Sequence, residues 1–181
     1  GFTERPSFML NSGLTAAETG TAVHKVMQFI NISEKPCVSA EIERLYEYGF
    51  ISEIEAEAID AKLIEKFFES NLYQRIRASK GYKREMRFMT EMPASRLDNT
   101  LDGTAAETPV IIQGAVDLCF EEEDGIVIVD FKTDRTDDAE ILKQTYTEQL
   151  DIYAKACTKI FNKPVKQRML YSFALSKEIE V

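Results

Sequence analysis

Apolar and polar positions follow two rhythms in this chain, helical before Gly81 and alternating after it. In TAAETGTAVHKVMQFI, Val23, Val26, Met27 and Ile30 recur at helical intervals. Thr15 and Glu18 open that run at the spacing of a capping box. From about Ser39 to Ser79 the pattern stays helical with breaks. Gly49 closes one short helix, Ser52 and Glu55 open another with a second capping box, and AKLIEKFFES and NLYQRIRA follow. After Gly81 the period shortens to two. YKREMRFMT predicts a strand, MPASRLDNTLDGTAAETP a turn-rich loop, and 110–120 and 126–132 two further strands joined by EEEDG. TYTEQLDIYAKACTKIF predicts an amphipathic helix stopped by Asn162 and Pro164. VKQRMLYSFAL predicts a last strand with Met169, Tyr171, Phe173 and Leu175 on one face. No internal repeat or low-complexity tract is present.

The bulk numbers narrow the class. The chain has 181 residues, 44% hydrophobic and 29% charged, which suits one globular domain with a real core. No apolar run approaches the roughly 20 residues that cross a bilayer. GFTERPSFML lacks a signal-peptide layout and an initiator Met, so a piece of a longer protein is expected. Cys37, Cys119 and Cys157 are scattered without CxxC spacing. That argues against a disulfide framework and a zinc or iron–sulfur site, and for a reducing cytoplasm. The net charge of −9 argues against a nonspecific nucleic-acid binder.

Against this background GAVDLCFEEEDGIVIVDFKT is unexpected, because Asp117, Asp130 and Lys132 interrupt its most apolar strands. Burying such groups without partners is costly. Strand alternation puts Asp130 and Lys132 on one face. A turn at Asp124-Gly125 would set Asp117 opposite Lys132, and one at Glu123-Asp124 would set Asp117 opposite Asp130. Either register gathers all three charges, whereas an odd-length loop scatters them. Adjacent carboxylates repel unless they share a proton or a cation, and oxygen ligands favour Mg²⁺ or Mn²⁺. A lysine beside them could neutralise charge developing on a phosphate. The alternative is a hairpin with one solvated face, which spacing alone leaves open.

Together, GAVDLCF…IVIVDFKTD, YTEQLDIYAKA and the upstream GTAVHKVMQFI resemble the RecB-like branch of the PD-(D/E)XK nucleases. Within that branch the likeness is to the C-terminal nuclease domain of AddA-type subunits of bacterial helicase–nucleases, and it runs from about Leu14 to the C-terminus. The resemblance implies a restriction-endonuclease-like α/β fold. Its α-β-β-β-α-β core is a mixed sheet flanked by helices, with a helical insertion at about 39–80. It implies that His24, Asp117 and Asp130 ligate Mg²⁺ or Mn²⁺, with the main-chain carbonyl of Phe131 a further ligand. Lys132 would be the catalytic lysine, and Gln149 and Tyr153 would orient the nucleophile or a DNA phosphate. The implied partners are single-stranded DNA, helicase domains of a parent chain and an AddB-type subunit. The implied role is exonucleolytic DNA cleavage in double-strand break repair by recombination, in the cytoplasm, with no membrane contact.

Each assignment has a plainer competitor in the residues themselves. A lone histidine at the border of an apolar stripe, as His24 is, is by itself more often structural. Gln149 shares a predicted helix face with Tyr146, Leu150, Tyr153 and Cys157, and a glutamine there needs hydrogen-bond partners. Tyr146 reads as packing. Glu85 lies on a strand where relatives of this kind often carry an acid, and a surface charge explains it equally well. Arg87 stands where such relatives show a small or apolar residue, which bears on packing. The four-cysteine iron–sulfur set of some relatives is absent, and no G-x-x-x-x-G-K-[ST] loop provides an ATP site. The acidic balance implies weak DNA binding by this chain alone. Competing expectations are a non-catalytic binding module of the same fold and a stand-alone RecB-like exonuclease.

Overall fold

A computed structural model describes residues 14–96 and 100–181. The GFTERPSFML stretch, and positions 97–99 of the expected loop, lie outside the described residues. Both capping boxes form. Thr15 Oγ1 accepts from the Glu18 amide (3.2 Å) while Glu18 accepts from the Thr15 amide (2.9 Å), starting helix α1, Ala16–Phe29. Ser52 and Glu55 repeat the exchange at α3, Glu53–Ala58. Helices α2 (Val38–Glu47), α4 (Ala61–Phe67) and α5 (Asn71–Ala78) complete the expected insertion. Gly49 follows α2 at φ 74, a conformation that costs a glycine little.

Strands β1 (Tyr82–Pro93) and β2 (Pro109–Glu122) run past their expected ends, pairing as far as Pro93 with Pro109. The loop between them is not wholly irregular, because it carries a single 3₁₀ turn (Ala94–Arg96) and a short helix α6 (Gly103–Glu107). After β3 (Gly125–Lys132), helix α7 covers Ala139–Phe161 and begins earlier than its pattern indicated. Its threonines are accommodated by back-bonding: Thr145 and Thr147 donate to the carbonyls of Ile141 (2.7 Å) and Lys143 (2.6 Å). Asn162, at φ 50, ends it as expected.

The last strand departs from its expectation. β4 covers Val165–Ser172, and Phe173 and Leu175 sit in a turn leading to β5, Lys177–Glu180. Ser172 Oγ accepts from the Leu175 amide (3.2 Å), and Ser176 takes φ 50, so the chain folds back where alternation would have continued.

The five strands hydrogen-bond in the order β1-β2-β3-β4-β5. β1–β2 and β2–β3 are antiparallel. Ile126 donates to Pro164 and Phe173 donates to Lys132, bonds at both ends that make β3 and β4 parallel across the α7 crossover. The sheet is therefore mixed, as the α/β expectation required. Among the described residues no helix is long and apolar enough to cross a membrane.

The chain divides into two compact units, with the boundary in β3 between Asp130 and Phe131. The first holds the described residues through Ala78 with Phe131–Ala139 and Tyr171–Ile179. The second holds Ser79–Asp130, Glu140–Leu170 and Glu180–Val181. The first unit's core is aromatic: the Phe67 ring meets Phe68, Tyr73, Phe131 and Tyr171 at centroid distances of 5.3, 6.0, 5.3 and 5.0 Å. The second is aliphatic around Val116, Leu118, Val127 and Val129, all almost completely buried.

Cys119 and Cys157 are buried in the second unit, whereas Cys37 is exposed. The hydrogen bond that the Cys157 thiol donates to Cys119, together with burial, pushes Cys157 up. Of the 3 cysteines, one per chain is expected to react promptly with an aromatic disulfide reagent under native conditions, and all after unfolding. Prompt reaction of two or more would mean the buried pair is accessible.

Candidate active site

The turn between β2 and β3 decides the geometry. Leu118 pairs with Val129 and Glu122 with Gly125, so Glu123 and Asp124 form the two-residue turn. One step further along this register Asp117 lies opposite Asp130, which is the second of the two arrangements the sequence allowed. Contacts from the end of α7 and the start of β4 hold the turn. Lys166 reaches Glu122 (2.7 Å) and Asp124 (2.5 Å), and Lys163 pairs with Glu121. The lysines draw the Asp124 and Glu121 carboxyls below their usual range. A side chain at Gly125 would bring its Cβ within 2.7 Å of the Pro164 carbonyl oxygen, so this residue admits only glycine without a backbone shift.

β1 adds a third carboxylate. Arg84 pairs with Leu118 and Met86 with Val116, which places Glu85 across from Asp117. Glu85 takes φ 48, unusual for a non-glycine residue and most informative near functional groups. Strand alternation breaks here. Lys83 lies over the Phe161 ring of α7 (5.2 Å), and Phe88, an odd number of residues later, packs edge-on against Tyr153 of α7 (5.5 Å). On β2, likewise, both Gly114 and Cys119 face α7. A Cβ at Gly114 would lie 2.8 Å from Phe88 Cζ, and Cys119 hydrogen-bonds Cys157. Asp117, two residues before Cys119, shares that face.

Helix α7 supplies the opposite wall. Gln149 Nε2 donates to Tyr153 Oη (2.6 Å). Burial pushes the Tyr153 hydroxyl up to about 12, against the Gln149 bond and with help from the charges of Asp130, Asp117 and Glu85. The charges of the three carboxylates thus reach the Tyr153 hydroxyl within the second unit. Tyr153 is therefore protonated at neutral pH, and its hydroxyl is available as a donor rather than a base. Asp130 is 2% exposed, while Asp117, Gln149 and Tyr153 are half-buried.

The remaining expected residues belong to the first unit. Lys132 is half-buried, two residues beyond Asp130 on the same face of β3. Phe131 turns its ring into the aromatic core, against Phe67 and Phe173 (5.7 Å). His24 is half-buried on α1, one turn after Gly20 on the same face. A Cβ at Gly20 would stand 2.5 Å from Thr133 Oγ1, so the glycine of GTAVH and the threonine of DFKT are in close contact. Tyr146 is half-buried, and Arg87 is exposed opposite Ala115, away from the packing role considered for it.

Asp117 opposite Asp130 fits a magnesium-type ion, which takes one or two protein carboxylates and keeps several waters. Among the described residues no three His, Cys, Asp or Glu side chains are placed so that together they could hold a metal ion, so the fit rests on the Asp117–Asp130 pair. Glu85 is the member sequence reasoning left undecided. A long loop separates β1 from β2, so no short turn announced their register.

The sequence profile of the PD-(D/E)XK nuclease superfamily matches residues 3–180. The chain belongs to this superfamily. An ATP-dependent helicase/nuclease subunit of Clostridium novyi (strain NT) is 36% identical to it over 185 residues, 98% of this chain and 15% of that protein. The corresponding protein of Bacillus licheniformis is 38% identical over 182 residues, 94% of this chain and 15% of the relative. That of Bacillus cytotoxicus is 37% identical over 181 residues, 93% and 14%. This PD-(D/E)XK nuclease domain thus spans about one-seventh of the length of the relatives it matches, and is homologous to their nuclease region. Its mixed sheet with flanking helices agrees with the expected fold class.

Proposed function

We propose that this chain is a metal-dependent nuclease domain that hydrolyses phosphodiester bonds in single-stranded DNA from an end. It would act within a helicase–nuclease in double-strand break repair, beside helicase domains and a second, AddB-type subunit. The observation that carries the reading is the placement of Asp117 opposite Asp130, facing Tyr153, with Lys132 two residues on. Membership of a nuclease superfamily and the names of the relatives support it. A Mg²⁺ or Mn²⁺ ion, when bound, supplies Lewis-acid polarisation of the phosphate. Asp117 and Asp130 offer it carboxylate oxygens. The sequence motif nominates His24 and the Phe131 carbonyl as further ligands.

The residues divide the remaining work. The Lys132 ammonium neutralises charge gathering on the non-bridging phosphate oxygens as a water attacks and the P–O bond breaks. Gln149 fixes the Tyr153 hydroxyl by donating to it, which directs the tyrosine's own proton toward a phosphate oxygen. The acidic row repels a bare phosphate, so DNA enters productively only with the cation.

The test is cleavage of end-labelled single-stranded DNA with Mg²⁺ or Mn²⁺. Lys132→Ala is expected to lower kcat about 10²–10³-fold. Tyr153→Phe, which keeps the ring against Phe88 but deletes one hydrogen bond to a charged group, should cost about 10–100-fold. Cleavage undiminished in both variants would remove them from the mechanism, and absence of metal-dependent cleavage by the unaltered chain would sink the reading.

A further inference from the structure

Beside the carboxylate row, on the β1–β2 side of α7, the second unit carries a groove of about 410 Å³. Its floor is Gly114 and the Phe88 ring, and its walls are Ile112, Ile152 and Tyr153. Arg96 stands exposed at the rim, with Thr145 and Glu148 on the α7 edge. Gln149 and Tyr153 also line the groove, so one end opens on the hydroxyl that the three carboxylates reach.

We propose that this groove binds one unpaired nucleotide adjoining the bond to be cut. Its base would lie against the Phe88–Tyr153 pair and its outer phosphate on Arg96. The inference rests on the nuclease reading and deepens it by specifying how a single strand is preferred.

Three features select this occupant. The volume lies at the small end of ligand pockets, about 300–1,000 Å³, and suits one nucleotide. The walls are aromatic and aliphatic, which suits a base face, and such stacking platforms accept any base. Among the described residues Arg96 is the one cationic side chain lining the groove and is exposed there, which suits a phosphate of the strand. Gly114 keeps the floor open. Its Cβ would meet the Phe88 ring at 2.8 Å and drive that ring into the space the base would use. A groove occupied by one free base would leave a paired base outside, so it would favour a single strand over duplex without reading sequence.

The test uses Arg96→Ala, at an exposed position, and Ile152→Asp, at a half-buried position on the groove outside the buried core. Two substrates are compared with Mn²⁺: labelled oligothymidylate, and bis(p-nitrophenyl) phosphate, a diester with no base. The ratio of kcat/KM on the oligonucleotide to that on the diester is expected to fall at least about fivefold in each variant, mainly through KM. An unchanged ratio in both overturns the groove while leaving the nuclease reading standing. If the unaltered chain hydrolyses neither substrate, the nuclease reading fails and fluorescence anisotropy of labelled oligothymidylate decides the groove. Fivefold weaker binding by both variants, with an unlabelled duplex competing poorly, supports it, whereas equal binding or equal competition by duplex overturns it.

Discussion

Asp117→Asn is expected to lower metal-dependent DNA cleavage by about 10³-fold or more, and to erase the stabilisation that Mn²⁺ confers on the unaltered chain. Asn keeps the shape and half-buried position of Asp117 but removes one of the two facing carboxylates, leaving the cation a single formal charge from this pair. The lost charge also lowers the ability of the site to stabilise the phosphate in its transition state. A ligand bound only by the folded state at about 100 times its dissociation constant adds about 2.7 kcal/mol. For a chain of this size that is a rise of about 5–10 °C in Tm. Calorimetry with and without Mn²⁺ reads the shift, and a nuclease assay reads the loss. An Asp117→Asn protein whose Tm still rises with Mn²⁺ as the unaltered chain's does would dissolve the proposed metal site. If only the Tm shift were lost, the carboxylate would bind the ion without serving hydrolysis.

Phe67→Ala should lower stability by about 3–5 kcal/mol, the usual cost of deleting a buried ring. The ring is 0% exposed and is held by Phe68, Tyr73, Phe131 and Tyr171. Helix α4 thereby grips residues from the end of β3 and the end of β4 in one aromatic cluster. Native proteins hold only about 5–15 kcal/mol in total, so the change removes a large share. A fall in Tm of about 10 °C is expected, read by calorimetry. Because Phe131 follows Asp130 directly, loosening its ring should also weaken Mn²⁺ binding. A Tm within about 2 °C of the unaltered chain would mean that the ring contributes little packing.

Local patterns carried much of this molecule. The capping boxes at Thr15–Glu18 and Ser52–Glu55 formed because each partner lies within one helical turn. The helical insertion and the α7 face bearing Gln149 and Tyr153 were legible for the same reason, since helical periodicity needs no distant partner. The end of β4 was not legible. Phe173 and Leu175 continue its alternation, yet β5 lies beyond a turn made by Ser172 and Ser176, and pairing overrode the pattern.

The site divides along the same line. Strand parity placed Asp130 and Lys132 on one face, and the motif nominated Asp117, His24, Gln149 and Tyr153 as their company. It could not choose between two registers, because Glu123-Asp124 and Asp124-Gly125 are both short polar turns. Lys163 and Lys166, about 40 residues later in the chain, pin the acidic turn, and the Pro164 carbonyl crowds Gly125. Glu85 was beyond reach for a further reason. Its place opposite Asp117 depends on strand pairing across a long loop, and its left-handed backbone breaks the alternation on which sequence reading relies. The sequence by itself therefore determined which side chains are available and which local elements carry them, since those follow from spacing along the chain. Only the tertiary structure decided which carboxylates face one another, because that depends on hydrogen bonds and ion pairs between segments the chain keeps far apart.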